Sequence, residues 1–282
     1  MKIFEAEAKS ILSATSGFIR EAGFTHSLTP ARNCTFACTY CYVPTMRIYG
    51  GLKPADWQRW GQFTTFKTNA AELLRGALRA EQIVYCSPLV DPYQPAETEA
   101  LHMPGILDAL IARPPRVFVM QTRGPLIVRD LDRLVALSRR THLRVSFSLT
   151  TDHEDVRRLY EPRCAPLIER IRAMRRLRAA GIRTFATLAP LLPCDPERLA
   201  GIAIAETDEN IIGDPLHIRA TKPNGATTRD AAIRISAIHG FEDWLEPLAQ
   251  AGIVARIRNT VEQAGRAFAV GTEGFGWLAR TG

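Results

Sequence analysis

Cys34-Thr35-Phe36-Ala37-Cys38-Thr39-Tyr40-Cys41 is the stretch on which the reading of this 282-residue chain turns. Three of the chain's six cysteines fall within these eight positions, at C-x3-C-x2-C spacing. One loop with that spacing wraps a cubane and offers a thiolate to each of three irons, and thiolates are the ligands that iron–sulfur clusters take. The fourth iron is then left open to a cofactor. A four-cysteine zinc site needs a second cysteine pair, and nothing near the loop supplies one. The competing reading, three unrelated cysteines, asks half of the chain's cysteines to crowd together by chance.

Outward from the loop, the chain alternates. Residues 5–22 read as a helix ending at Gly23, and Phe24 to Thr29 as a first strand that delivers the chain to the cysteines. Residues 42–66, rich in Trp, Gly and Pro, are too irregular for one element. Residues 68–79 have helical spacing, with Thr68 or Asn69 as N-cap. Strands are then expected at residues 82–86, 117–122, 143–149, 184–188 and 216–220. Helices are expected near 105–112, 129–139, 165–180 and 196–205, with Gly181 stopping the third at its C′ position. Repeated βα units with short apolar strands predict a parallel sheet with helices outside. Residues 226–268 read as two or three closing helices. No repeat, low-complexity run or long linker divides the chain, so one domain over 1–282 is expected, with its core at about 24–222.

The aromatic Tyr40 just before Cys41 completes C-x3-C-x-aromatic-C, and this loop resembles that of the radical S-adenosylmethionine (radical SAM) enzymes. The resemblance covers roughly residues 25–220. It implies an α/β fold, a partial, TIM-like (β/α)6 barrel with a helical C-terminal extension. It also implies a [4Fe–4S] cluster held by Cys34, Cys38 and Cys41, with S-adenosylmethionine on the open iron. The cofactor would be cleaved to a 5′-deoxyadenosyl radical after reduction by an external donor of flavodoxin or ferredoxin type. In such a barrel the site lies at the C-terminal ends of the strands.

A narrower resemblance, to the spore photoproduct lyase group of DNA-repair enzymes, rests on Tyr40, Tyr42, Cys86 and Asp91-Pro92-Tyr93-Gln94-Pro95-Ala96-Glu97. It implies a carbon–carbon lyase that reverts a thymine-dimer lesion, with damaged DNA as substrate. In it Cys86 is the hydrogen-atom donor, facing the cluster mouth from the end of a strand, and Tyr40 and Tyr42 relay the radical. Packing alone is the other reading of Cys86 and Tyr42. Tyr40, Ser87, Asp91, Gln94, Arg123 and Ser148 are the expected cofactor contacts, with Tyr93, Glu97 and Thr150 beside them. Arg123 stands where the family often carries a lysine, which keeps the charge and changes the geometry. A rigid turn with surface polar groups is the alternative for the Asp91–Glu97 stretch. Glu161-Pro162-Arg163 also resembles a family feature, without a role attached. Cys164 and Cys194 lack ligand spacing and read as structural or incidental, and the six histidines lack it too.

The net charge of +7 is carried by arginine, since only five of 36 basic residues are Lys. That suits a nucleic-acid partner, and a GC-rich coding sequence accounts for it equally well. Arg170, Arg172, Arg175, Arg176 and Arg178 are expected on the outer, solvated face of their helix. The loop around Asn224-Gly225, with Arg219, Lys222 and Arg229, reads either as a phosphate contact or as a polar loop capping a helix. With no signal-peptide core and no apolar run near the ~20 residues a span requires, a cytoplasmic, monomeric protein away from membranes is expected. Two other functions compete with the DNA-lesion lyase. One is a radical SAM enzyme acting on RNA, a peptide or a metabolite. The other is a non-catalytic module that uses the cysteines to hold a metal.

Overall fold

The computed structural model describes residues 1–45, 59–218 and 229–281. Its elements, in chain order, begin with β1 (Lys2–Ala6), β2 (Leu12–Ala14), α1 (Gly17–Glu21), β3 (His26–Leu28), β4 (Ala31–Arg32), β5 (Phe63–Lys67) and α2 (Ala70–Ala77). Next come β6 (Ile83–Cys86), α3 (Glu97–Ala100), α4 (His102–Ala112), β7 (Val117–Thr122), α5 (Leu131–Ser138) and β8 (His142–Ser148). They continue with α6 (Glu154–Tyr160), α7 (Leu167–Ala179), β9 (Arg183–Leu188), α8 (Pro196–Glu206) and β10 (Ile211–Gly213). The C-terminal part holds α9 (Asp230–His239), α10 (Pro247–Gln263), β11 (Phe268–Val270) and α11 (Gly271–Ala279).

The main sheet is open, in the order β11-β10-β9-β8-β7-β6-β3-β2. All neighbours run parallel except the edge pair β2 and β3. This is the mixed α/β, parallel-strand core of a partial barrel. Its strands are buried on both faces, as parallel sheets covered by helices must be. On one face Val84, Cys86, Phe118, Met120, Val145 and Phe147 pack against the helices through Leu74, Leu107, Leu134 and Met174. On the other, Tyr85, Val117, Val119, Phe185 and Ile212 meet Phe24 together with Phe275 and Leu278 of α11. Arg144, buried on that interior face, donates to the Leu278 carbonyl at 2.5 Å and ties α11 into the sheet.

The structure departs from three sequence expectations and extends a fourth. Residues 5–22 are not one helix. β1 pairs in parallel with β5, β2 pairs antiparallel with β3, and only α1 is helical. Gly17, at φ +52, breaks the run, and sheet partners distant in sequence override a weak helical pattern. The strand expected at 216–220 lies earlier, at β10, and Leu216 is in irregular structure; residues 219 and 220 lie outside the described residues. The closing segment holds α9 and α10, but the chain goes on to add β11 beside β10 and to insert α11 into the interior face. The Asn69 side chain does not cap α2. Its Oδ1 accepts from Ala8 N at 2.9 Å and its Nδ2 donates to Ala8 O at 3.0 Å.

Candidate active site

The cysteine loop follows β4 and turns back on itself through two left-handed residues, Asn33 at φ +66 and Ala37 at φ +58. Alanine is uncommon there, so the packing around the loop must hold it. Gly61 is one such neighbour. At φ +83 its backbone lies so close that an added Cβ would stand 2.2 Å from the Ala37 Cβ. Gly61→Ala is therefore expected to cost about 2 kcal/mol in stability and to lower the iron content after reconstitution, measured by denaturation and iron assay. Gln94 holds the other end: its Oε1 accepts from Thr35 N at 2.8 Å and Thr35 Oγ1 at 3.1 Å, and its Nε2 donates to Asn33 O at 3.3 Å. Expected as a cofactor contact, Gln94 instead has its amide bound to the loop backbone.

The residues from Tyr160 to Cys164 line the far side of the loop. Thr39 donates to Tyr160 O through its backbone N at 2.9 Å and its Oγ1 at 3.1 Å. Tyr40 Oη donates to Glu161 Oε1 at 2.6 Å. Cys38 Sγ and Cys164 Sγ are 3.9 Å apart. Glu161 is fully buried and also accepts from Thr150 Oγ1 at 2.9 Å, from Arg123 and from Arg170, while Arg123 lies over the Tyr40 ring at 5.7 Å and donates to its hydroxyl. Burial works to raise the Glu161 carboxyl, but the guanidinium groups of Arg170 and Arg123 outweigh it and hold it at about 2. The Cys38 thiol is lowered, chiefly by its hydrogen bond with Cys164 and against its burial. Burial raises Cys34, with Asp91 adding to it, and pushes Cys41 up to about 12.

This arrangement corrects the expectation for the arginines of α7. Arg172, Arg175 and Arg176 are exposed, but Arg170 is only 1% exposed and paired with Glu161. A burial pattern with a period of 3.6 residues brings position 170 onto the inner face beside Ile171 and Met174. Thr150, expected beside the cofactor contacts, is bound to Glu161. Glu97 does not face the site: it is buried and accepts from Met103 N at 2.9 Å and from Arg129 at 2.9 Å, holding the start of α4. Tyr93 is buried and packs with the helical layer.

Asp91 sits at the C-terminal ends of β6 and β7. Its Oδ1 accepts from Tyr93 N at 2.9 Å and Thr122 Oγ1 at 2.6 Å, and its Oδ2 from Arg123 N at 2.8 Å. Burial raises its carboxyl despite these bonds. Ser148 ends β8 and is buried. Tyr42 Oη reaches Pro88 O at 3.5 Å, over the turn that leaves β6. Ser87 Oγ and Asn33 Oδ1 are buried without a protein partner. Buried polar groups need partners, so these two atoms suit a polar ligand.

Cys86 is placed differently from the expectation. Side chains alternate along a strand. Cys86 shares its face with Val84 and with its cross-strand neighbours Leu28 and Met120, all packed with the helices. Burial raises its thiol, with Asp91 second. The residue directed into the sheet interior is Tyr85, hydrogen-bonded to Gln121. A position at a strand's end decides height along the barrel; the parity of the register decides the face.

The family model described as the radical SAM superfamily matches residues 28–200. This chain belongs to the radical SAM superfamily. Its cofactors are a [4Fe–4S] cluster and S-adenosylmethionine. The loop fits that group by its donor set, three thiols around a turn held by left-handed residues. Among the described residues no three His, Cys, Asp or Glu side chains converge to hold a single metal ion, whereas a cubane takes one thiolate per iron. The chain is 27% identical over 226 residues to an uncharacterized protein of Mycobacterium tuberculosis, covering 79% of this chain and 63% of that relative. It is 23% identical over 193 residues to an uncharacterized protein of Methanocaldococcus jannaschii, covering 68% of this chain and 69% of the relative. The chain thus spans less than two thirds of the length of the mycobacterial protein. Among solved structures, spore photoproduct lyase complexed with dinucleoside spore photoproduct matches at TM-score 0.64 and 15% identity, covering 95% of this chain and 81% of that one. A cysteine-to-serine mutant of the same lyase matches at TM-score 0.65 and 14% identity, with the same coverage. These likenesses show a shared radical SAM fold. Among the described residues no helix is long and apolar enough to cross a membrane.

Proposed function

We propose that this radical SAM enzyme is a spore photoproduct lyase-like DNA-repair enzyme, a carbon–carbon lyase that reverts a thymine-dimer lesion by hydrogen-atom abstraction. The observation that carries this reading is the spore photoproduct lyase fold over 95% of the chain, with Tyr40 and Tyr42 flanking Cys41 in the cysteine loop. When bound and reduced, the cluster and S-adenosylmethionine supply a 5′-deoxyadenosyl radical. Cys34, Cys38 and Cys41 hold the cluster. Ser87 and Ser148 offer hydroxyls to S-adenosylmethionine, and Asp91 and Arg123 shape its pocket from the ends of β6 and β7. Tyr40, held between Glu161 and Arg123, is fixed as a wall of that pocket. Tyr42, beside it, passes the radical between substrate and cofactor. The electron comes from a flavodoxin- or ferredoxin-type reductant. A lesion weakens stacking, so extruding it to the barrel mouth costs less than flipping a normal base. The loop proposed as a phosphate contact, 219–229, lies outside the described residues except for Arg229, whose Nε donates to Thr39 O at 2.9 Å.

The proposed mechanism leaves Cys86 out; what supports this is that Cys86 shares its face with Leu28 and Met120, on the side of the sheet that packs against the helices. Cys86→Ala is expected to form product at a rate within about twofold of wild type and to cost about 1 kcal/mol in stability; clean loss of product with cofactor cleavage retained would return Cys86 to the donor role. That same placement favours a second reading, radical SAM chemistry on a non-DNA substrate such as RNA, a peptide or a metabolite. One experiment separates the two. Anaerobically reconstituted protein is given dithionite, S-adenosylmethionine and an oligonucleotide carrying one spore photoproduct, and thymine repair and 5′-deoxyadenosine are quantified together. Repair is expected. 5′-Deoxyadenosine without repair would leave the enzyme class standing and discard the DNA lesion as substrate.

A further inference from the structure

Cys164 has no place in the cluster-binding spacing, yet its Sγ lies 3.9 Å from that of Cys38. The contact belongs to a built interface. Three successive loop residues, Cys38, Thr39 and Tyr40, are met by Cys164, Tyr160 and Glu161 respectively. The backbone that carries Cys164 is anchored on both sides. Its N donates to Glu161 O at 3.0 Å, and its O accepts from Arg157 Nη1 at 2.8 Å. Cys164 is itself buried, so water does not compete for the contact. We propose that Cys164 is a positioning residue for the iron–sulfur centre, donating an S–H···S hydrogen bond to the Cys38 thiolate and making the cluster easier to reduce.

The physical argument concerns charge. Reduction adds an electron to a centre whose thiolate ligands already carry negative charge. A donor aimed at one ligand sulfur stabilises the reduced form more than the oxidised one, and hydrogen bonds to cluster sulfurs are among the groups that set reduction potentials. An S–H donor is weak, but in a buried site with no competing water its effect is retained. The sulfur–sulfur distance, near the upper limit for such a bond, fits a donor and leaves Cys164 outside the ligand set. This inference rests on the assignment of Cys34, Cys38 and Cys41 as cluster ligands.

The test uses the full-length protein reconstituted anaerobically as wild type, Cys164→Ala and Cys164→Ser. Iron and sulfide content, circular dichroism and the cluster's midpoint potential from an electron-paramagnetic-resonance titration are measured. Equal iron in all three is expected, with the Cys164→Ala potential more negative than wild type. Cys164→Ser, whose hydroxyl is a donor of similar size and stronger than a thiol, is expected at the wild-type value or less negative. Equal potentials in wild type and Cys164→Ala would overturn the proposal. So would a drop in iron in folded Cys164→Ala, which would make Cys164 a ligand. If Cys164→Ala fails to fold, Cys164→Ser decides: an unchanged or less negative potential together with full iron sustains the donor role, and a potential more negative than wild type rejects it. Failure of the ligand assignment is seen separately, as a cluster that survives Cys34→Ala, Cys38→Ala and Cys41→Ala.

Discussion

Cys34→Ala, Cys38→Ala and Cys41→Ala are each expected to give folded protein without the brown colour of an iron–sulfur cluster. 5′-Deoxyadenosine formation should fall to the no-enzyme background. The effect is expected to be all-or-none because each of the three thiolates would hold its own iron. Loss of one ligand leaves an iron open to solvent and the cluster prone to disassembly. Structure outside the loop should persist, since the large packed layer between sheet and helices does not depend on the metal. Cys194→Ala is the control. It is partly buried near the start of α8 and away from the loop, and it should keep both colour and activity. Iron assay and anaerobic product analysis measure the effect, and a full complement of iron in any of the three loop variants would remove that cysteine from the ligand set.

Glu161→Gln is expected to destabilise the protein by about 3–5 kcal/mol. Removing one partner of a buried ion pair strands the other charge. Here the stranded groups are Arg170, 1% exposed, and Arg123. Replacing Arg170 as well, in Glu161→Gln/Arg170→Met, should recover part of that loss, because the second change removes a buried charge left without its carboxylate. The same carboxylate sets a pH dependence. Its ordinary value is 4.5, and in the folded state it is held at about 2. The folded state therefore binds the proton more weakly than the unfolded chain. Glu161 contributes its full share of stability, about 3 kcal/mol, above pH ~4.5, and this is lost as pH falls from there to about 2. Chemical denaturation of wild type and Glu161→Gln across pH 2–6 measures it. The difference between the two should shrink on acidification, and a difference independent of pH would mean that Glu161 is not ionised in the fold. Because Glu161 also accepts from Tyr40, the variant should raise the KM for S-adenosylmethionine, provided that Tyr40 walls the pocket.

Much of the site's chemistry was legible in one loop. Spacing alone names three thiols and their neighbouring aromatic residues, because cluster ligation from a single loop is a local constraint that eight residues can carry. The βα alternation is local too, and it placed β6 to β9 and α8 close to where they are. What failed to read from the chain failed for a common reason. β1 and β2 exist because β5 and β3 offer hydrogen-bonding edges that lie, for β1, some sixty residues away. α11 is not legible in the sequence because its partners are the interior faces of β7 and β10. Arg170 looked like a solvated charge because Glu161 becomes its partner only when α7 packs beside the segment that carries it.

Cys86 marks the line between the two kinds of knowledge. The sequence by itself determined that a thiol ends a core strand and that a cysteine loop precedes it. The choice of face belonged to register, to the pairing of Cys86 with Leu28 and Met120, and a shift by one residue would have reversed it. Cys164 shows the converse. Nothing in its neighbours in sequence recommends it, and the tertiary structure alone brings it to Cys38 across 126 positions. Ligand spacing is written along the chain because a loop is short. The donors and charges that surround the ligands come from distant segments, and only packing decides which of them meet.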